Sequence, residues 1–155
     1  MDPLNLPTYF FRIKEDNQKK YIFDEIRRRF VQLTPEEWVR QHLVKYLIDV
    51  KGYPQPLIAV EKEFHQNRLK HRYDLLVYNR KGEPLMIIEC KASTVEINQN
   101  AFDQAGRYNI RHKAPYLLIS NGRKHYCCRV NLLNRQYEFL NEIPEFEQMI
   151  SAQDR

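Results

Sequence analysis

The sequence predicts an α/β protein built on a mixed central sheet with helices on both of its faces. Three observations point there. Two almost continuously apolar runs, Tyr73–Tyr78 and Leu85–Cys90, flank a turn-like Asn79-Arg80-Lys81-Gly82. Strands apolar on both sides belong to sheets covered on both faces. Two other stretches, Thr34 to about Lys51 and Asn98 to His112, repeat apolar residues at helical spacing. The elements follow in the order helix, three strands, helix, strand, with a small N-terminal hairpin ahead of them.

Taken in order, residues 1–7 read as a loose arm with two prolines, Pro3 and Pro7. Tyr9–Ile13 and Lys19–Phe23 read as two strands around Glu15-Asp16-Asn17-Gln18. Asp24–Val31, with its Arg27-Arg28-Arg29 triplet, is open between a helical turn and an extended connector. Thr34-Pro35-Glu36-Glu37 is a helix start: Thr34 suits the N-cap, Pro35 the first turn, and Glu37 completes a capping box. Val39, Leu43, Tyr46, Leu47 and Val50 then recur at helical spacing, and Gly52 follows the helix end. Pro54 and Pro56 keep the chain extended into a strand over Leu57–Phe64, and Asn67–Lys70 forms the turn into the central hairpin. The second helix carries Ala101, Ala105, Tyr108 and His112 as a stripe. Pro115–Ser120 is a buried strand, Asn121-Gly122 a turn, and His125–Val130 and Arg135–Leu140 are further strands. Pro144 opens a short last helix.

The 155 residues, 43% hydrophobic and 29% charged, fit one globular domain: an extension over 1–33, a core over 34–130, and a terminal strand and helix over 131–155. No apolar run approaches the roughly 20 residues that span a bilayer. The N-terminus lacks the basic start and apolar core of a secretory signal. Three cysteines, Cys90, Cys127 and Cys128, do not make a disulfide framework. The expectation is a cytoplasmic protein with no membrane contact. The net charge of +5 is unevenly spread. Basic clusters stand at Arg27-Arg28-Arg29, at Arg68/Lys70/His71/Arg72, at Arg107/Arg111/His112/Lys113 and at Arg123-Lys124-His125. Such clusters suit a phosphate backbone, and each also suits an ordinary solvated surface.

The chemistry concentrates on three charged residues that break the central hairpin: Asp74, Glu89 and Lys91. Alternate side chains of a strand share a face, so Glu89 and Lys91 lie together with Ile87 below them. Folding the hairpin about residues 79–84 brings Asp74 to the same end. Isolated charges at the end of a buried sheet are costly, so these must pair or bind something. Paired carboxylates are hard oxygen ligands for Mg²⁺, and a lysine beside them can polarise a water or steady charge on phosphate. An internal salt bridge from Lys91 to Asp74 or Glu89 is the plain alternative.

The order of elements, with Asp74 on the second strand and Glu89-Cys90-Lys91 on the third, resembles the PD-(D/E)XK nuclease superfamily. Four segments extend the match: Thr34-Pro-Glu-Glu-Trp-Val-Arg-Gln41, Arg72-Tyr-Asp74, Glu89-Cys-Lys91 and Gln104-x-x-x-Tyr108. They are similar to the N-terminal nuclease domain of type I restriction enzyme R subunits, over roughly residues 34–130. The resemblance implies a restriction-endonuclease-like α-β-β-β-α-β core and a Mg²⁺-dependent phosphodiesterase, with Mn²⁺ as a substitute ion. By that resemblance Asp74 and Glu89 are metal ligands and Lys91 is the catalytic lysine. Glu37 matches the first-helix acid that completes the metal site, although Glu36 falls closer to the apolar stripe and the choice between them stays open. Gln104 and Tyr108 match a motif beside the active site.

The resembling subunits also carry helicase motor domains, for which these residues leave no room, and no Gly-x-x-x-x-Gly-Lys-Ser/Thr loop is present. The expectation is the nuclease module alone, acting on nucleic acid, DNA before RNA. Arg72, Arg107, Tyr108 and Arg111 are the expected nucleic-acid contacts, and a homodimer or an unidentified protein is the candidate partner. A non-catalytic nucleic-acid-binding or assembly module on the same fold is the competing reading.

Overall fold

The computed structural model describes residues 2–66 and 69–153, and only the backbone of 61–66, 69–72, 108, 110 and 111. The N-terminal segment forms a three-stranded antiparallel sheet of β1 (Ile13–Asp16), β2 (Lys19–Asp24) and β3 (Arg29–Gln32), in that order. Asn17 and Gln18 join β1 to β2 with φ of 50° and 66°, the left-handed pair that matches a two-residue turn to the twist of a hairpin. The third strand was hidden by its basic triplet. Asp24 makes it: its Oδ1 accepts from the Ile26 and Arg27 amides, each at 2.9 Å, and Arg28 turns the chain back at φ 57°. Phe30 and Val31 then pair with Phe23 and Ile22.

Helix α1 (Pro35–Asp49) begins where the sequence predicts, with the Glu37 amide donating to Thr34 Oγ1 at 3.0 Å. Gly52, at φ 72°, follows its end. Val39, Leu43 and Leu47 are fully buried along one side. The expected first strand at Tyr9 starts instead at Ile13, because the preceding aromatics leave the sheet to cover α1. Phe11 packs on Trp38 and His42 with ring centroids 6.0 and 4.8 Å apart. Nor is the N-terminal arm loose. The Asn5 amide donates to the Gly122 carbonyl at 2.8 Å, and Trp38 Nε1 donates to the Asp2 carbonyl at 3.3 Å. Leu4 lies so close to Gly122 that an added Cβ there would stand 2.7 Å from its Cδ2.

The main sheet has six strands in sequential order: β4 (Ile58–Gln66), β5 (Leu69–Tyr78), β6 (Pro84–Cys90), β7 (Tyr116–Ser120), β8 (His125–Asn131) and β9 (Gln136–Phe139). Neighbours are antiparallel except β6 and β7, which are parallel and joined by helix α2 (Gln99–His112). Of the expected turn Asn67–Lys70, Asn67 and Arg68 lie outside the described residues, and Lys70 already pairs with His65. Both faces of the sheet are covered, as the unbroken apolar runs require. Helix α1 and the C-terminal helix α3 (Phe146–Gln153) bury Leu75, Val77, Met86 and Ile88, while α2 buries Leu76, Ile87, Leu117 and Ile119. Each such side chain contributes about 1.5–3 kcal/mol to folding. This two-sided core holds the ends of β5 and β6 in place.

Candidate active site

Asp74 and Glu89 lie one step beyond Leu75 and Ile88, the last paired residues at that end of the β5–β6 ladder. The Cys90 amide there donates not to a strand carbonyl but to Asp74 Oδ2, at 2.7 Å. On the other edge of β6, the Lys91 amide donates to the Ser120 carbonyl at 2.8 Å, so the segment carrying Glu89 and Lys91 is pinned from both sides. Simple alternation fails beside Asp74. Tyr73 and Leu75 are two apart, yet Tyr73 packs in the core under α2 and Leu75 in the core under α1. Asp74 lies between them, with one carboxylate oxygen on the Cys90 amide of β6 and the other 3.8 Å from Arg40 Nη1 on α1.

The electrostatics follow from this crowding. Burial, the charge of Asp74 and a hydrogen bond to Asp74 push the Glu89 carboxyl up to about 9, against the opposing pull of Lys91. Two carboxyls this close cannot both ionise cheaply, and here Glu89 takes up the cost. Glu36 feels the same group: burial and then Asp74 raise its carboxyl, while Lys91 and Arg40 act to lower it. The structure thus brings Asp74, Glu89, Lys91 and Glu36 to one place. Glu36, Asp74 and Ala92 line a cleft of about 580 Å³, walled on its far side by Val31 and Gln32 of β3.

Glu37 is differently employed. The expectation that it completes the metal site gives way to a buried ion-pair network in which both of its oxygens are taken. Arg40 Nε donates to Glu37 Oε2 at 2.7 Å and Arg40 Nη2 to Oε1, which also accepts from Arg27 Nη2 at 2.9 Å. Gln41 Nε2 bridges Glu37 Oε2 and Asp24 Oδ2, each at 3.1 Å. Burial alone would raise the Glu37 carboxyl, yet Arg40, Gln41 and Arg27 together hold it below the usual range. The capping box is therefore half formed: Thr34 caps the helix, and the Glu37 side chain goes to arginines. Successive helix positions point about 100° apart, and although both glutamates line the cleft, only Glu37 is turned into the arginine network. Sequence reasoning gave no role to Arg40, Arg27 or Asp24. A cation within the buried stripe of α1 was the available signal for Arg40. For Arg27, one arginine in an exposed-looking triplet, there was none.

Of the remaining candidates, the described Gln104 and Arg107 do not line the cleft. Gln104 is on the exposed side of α2, opposite the Phe102 and Ala105 surface that packs on the sheet. Arg107 lines another cavity, of about 620 Å³, with Lys113, Arg135 and Tyr137. The side chains of Arg72, Tyr108 and Arg111 lie outside the described residues. Among the described residues no three His, Cys, Asp or Glu side chains converge tightly enough to hold a metal by themselves. None of the described helices is long and apolar enough to cross a membrane.

Residues 35–144 match the family described as the type I restriction enzyme R protein N terminus. The chain belongs to that family. The match begins at the first residue of α1 and encloses the whole six-stranded sheet, so the three-stranded N-terminal sheet lies ahead of it. The fold is also similar to a fragment of a putative HsdR subunit of a type I restriction enzyme from Vibrio vulnificus YJ016, with a TM-score of 0.56 and 17% identity. That likeness covers 79% of this chain and 26% of the other, so the chain spans about a quarter of the protein it resembles. No curated protein matches it.

Proposed function

We propose that this chain is a Mg²⁺-dependent nuclease that hydrolyses phosphodiester bonds, with DNA as substrate. The observation that carries the reading is the Asp74–Glu89 pair: two carboxyls held against each other at the sheet end, one pushed up to about 9, with Lys91 beside them. A structural salt bridge would set one carboxylate against one cation. An excess of carboxylates forced together is instead a place where a divalent cation relieves the strain. The donors fit Mg²⁺, which is bound through one or two carboxylates and leaves its other positions to water and phosphate oxygens. Asp74 and Glu89 would hold it. Such an ion supplies Lewis acidity toward a phosphate oxygen and a lower pKa for a bound water.

The chain's own residues supply the rest. Asp74 is kept oriented by the Cys90 amide at 2.7 Å, which fixes the carboxylate without help from solvent. Lys91, on the strand end beyond Glu89, is positioned to orient the attacking water or to neutralise charge gathering on the phosphate. Glu36, facing Asp74 from α1, serves as a third acid on the cleft wall, able to accept a hydrogen bond from water. Cutting both strands of a duplex calls for two such sites, from a second copy or a partner.

The purified protein should nick supercoiled plasmid in Mg²⁺ or Mn²⁺, and not in EDTA. Loss of nicking in both Asp74→Asn and Glu89→Gln, with the fold retained, supports the reading. A folded wild-type protein that binds DNA but never nicks it would instead make the chain a binding module.

A further inference from the structure

The N-terminal sheet lies outside the matched family region, and one of its faces carries aromatic rings that are only half-buried. In an antiparallel sheet, residues opposite each other share a face. The pairs Lys14–Tyr21, Tyr21–Gln32 and Phe23–Phe30 therefore put Tyr21, Phe23, Phe30, Lys14 and Gln32 on one side, with Arg12 continuing the row beside Phe23. Ile22 and Val31 go to the opposite side, where Ile22 is fully buried. Tyr21, Phe23 and Phe30 are half-buried, and the groups over the two phenylalanines are cations. The Arg12 guanidinium sits 4.5 Å from the Phe23 ring centre and 5.5 Å from that of Phe30, and Lys14 Nζ is 4.4 Å from Phe30. The two phenyl rings meet edge to face at 5.2 Å.

Aromatic rings and cations interleaved on an open sheet face form a surface on which bases stack while basic groups track the phosphates. Its location adds to this. Gln32, paired with Tyr21 and two residues from Phe30, lines the cleft that holds Glu36 and Asp74. Gln32 thus brings the row to the edge of that cleft, which Val31 lines from the opposite face. Asp16, at the hairpin tip one step beyond Lys14, Tyr21 and Gln32, stands opposite Lys19, so the charge along the row stays positive.

We propose that this face binds an unpaired nucleic-acid strand, stacking bases on Phe23, Phe30 and Tyr21 with Arg12 and Lys14 on the phosphates, and leads it into the cleft at Asp74. The direction of the strand rests on the nuclease reading above, while the binding does not. Unpaired bases are required because a base inside a duplex offers no face to a ring.

The test is anisotropy of a fluorescein-labelled oligothymidylate in EDTA, run beside hydrolysis of bis-p-nitrophenyl phosphate in Mn²⁺, a small diester that reaches only the cleft. Arg12→Glu, Lys14→Glu and Phe30→Leu should each weaken oligothymidylate binding about tenfold. The charge reversals are on exposed side chains and leave the fold intact, and the leucine keeps apolar cover while removing the ring. Hydrolysis of the small diester should not change in these three. Asp74→Asn should lose hydrolysis and keep oligothymidylate binding, so an inactive wild type would sink the nuclease reading without touching this one. Unchanged binding in all three variants overturns the proposal. So does an equal loss of affinity for duplex, which would mean a general phosphate track. A change of sedimentation coefficient in the variants would also overturn it, by making the face a contact between copies of this chain.

Discussion

Arg40 holds Glu37 in a two-bonded fork and turns its remaining terminal nitrogen toward Asp74, 3.8 Å away. One guanidinium thereby joins the first turn of α1 to the sheet end where the carboxylates crowd. Arg27 extends the chain of contacts to Asp24 and the N-terminal sheet. Adjacent Glu36 and Glu37 both line the cleft, but with different duties: the Glu37 oxygens are held by arginines, whereas Glu36 is exposed there.

Glu37→Gln should destabilise the protein by about 3–5 kcal/mol, because it removes the buried carboxylate that Arg40 holds in a fork and Arg27 also contacts. The pH dependence has a definite sign. The folded Glu37 carboxyl lies below its ordinary 4.5, and that of Asp24 below 3.8, in each case because arginine contacts outweigh burial. Groups lowered on folding stabilise above their unfolded values, and that contribution is lost as pH falls through the folded ones. Urea unfolding should therefore show stability dropping below about pH 4.5 in wild type, and a shallower drop in Glu37→Gln. A slope identical in the two proteins would remove Glu37 from the acid-sensitive network.

Glu36→Gln should do the reverse, with unfolding within about 0.5 kcal/mol of wild type, as for an exposed position. If Glu36 helps to order water in the cleft, plasmid nicking should fall by about tenfold or more. Comparing melting and nicking across Glu36→Gln and Glu37→Gln distinguishes the two roles. Equal effects on both readouts would contradict the division.

Metal binding should release a proton. Burial and Asp74 push Glu89 up to about 9, so at neutral pH the pair holds a proton that an incoming ion must displace. Calorimetric titration of Mg²⁺ or Mn²⁺ should give heats that depend on the buffer's own ionisation heat. Affinity should rise by up to about tenfold per pH unit from neutrality toward that value. Asp74→Asn and Glu89→Gln should both weaken binding. Buffer-independent heats together with unchanged affinity in both variants would exclude the pair as ligands.

Lys91→Ala should abolish nicking while leaving the melting temperature close to wild type. A group acting only on the attacking water or the phosphate charge contributes in the transition state rather than to folding. If Lys91 were chiefly a salt-bridge partner, thermal unfolding would come early and the folded variant would still cut at the wild-type rate.

The sequence by itself determined the helices, the order of the strands and the convergence of Asp74 with Glu89. Each depends on local pattern: a Thr-Pro start before a helical stripe, unbroken apolar runs that need cover on two faces, and a short turn that fixes which ends of a hairpin meet. It also found the four segments that carried the family resemblance. The tertiary structure decided what local pattern leaves degenerate. Both Glu36 and Glu37 suit the first turn of α1 and both line the cleft, and only the packing of that helix, with two arginines arriving on one side, ties the Glu37 oxygens into the scaffold. The failure of alternation beside Asp74 was equally hidden, because Tyr73 fills the core under α2 while Leu75, two residues on, fills the one under α1. Arg27 and Arg107 belong to basic clusters that looked alike in sequence. One is paired with Glu37 and the other lines a separate cavity, a difference set by long-range contacts that the one-dimensional pattern of charge does not encode.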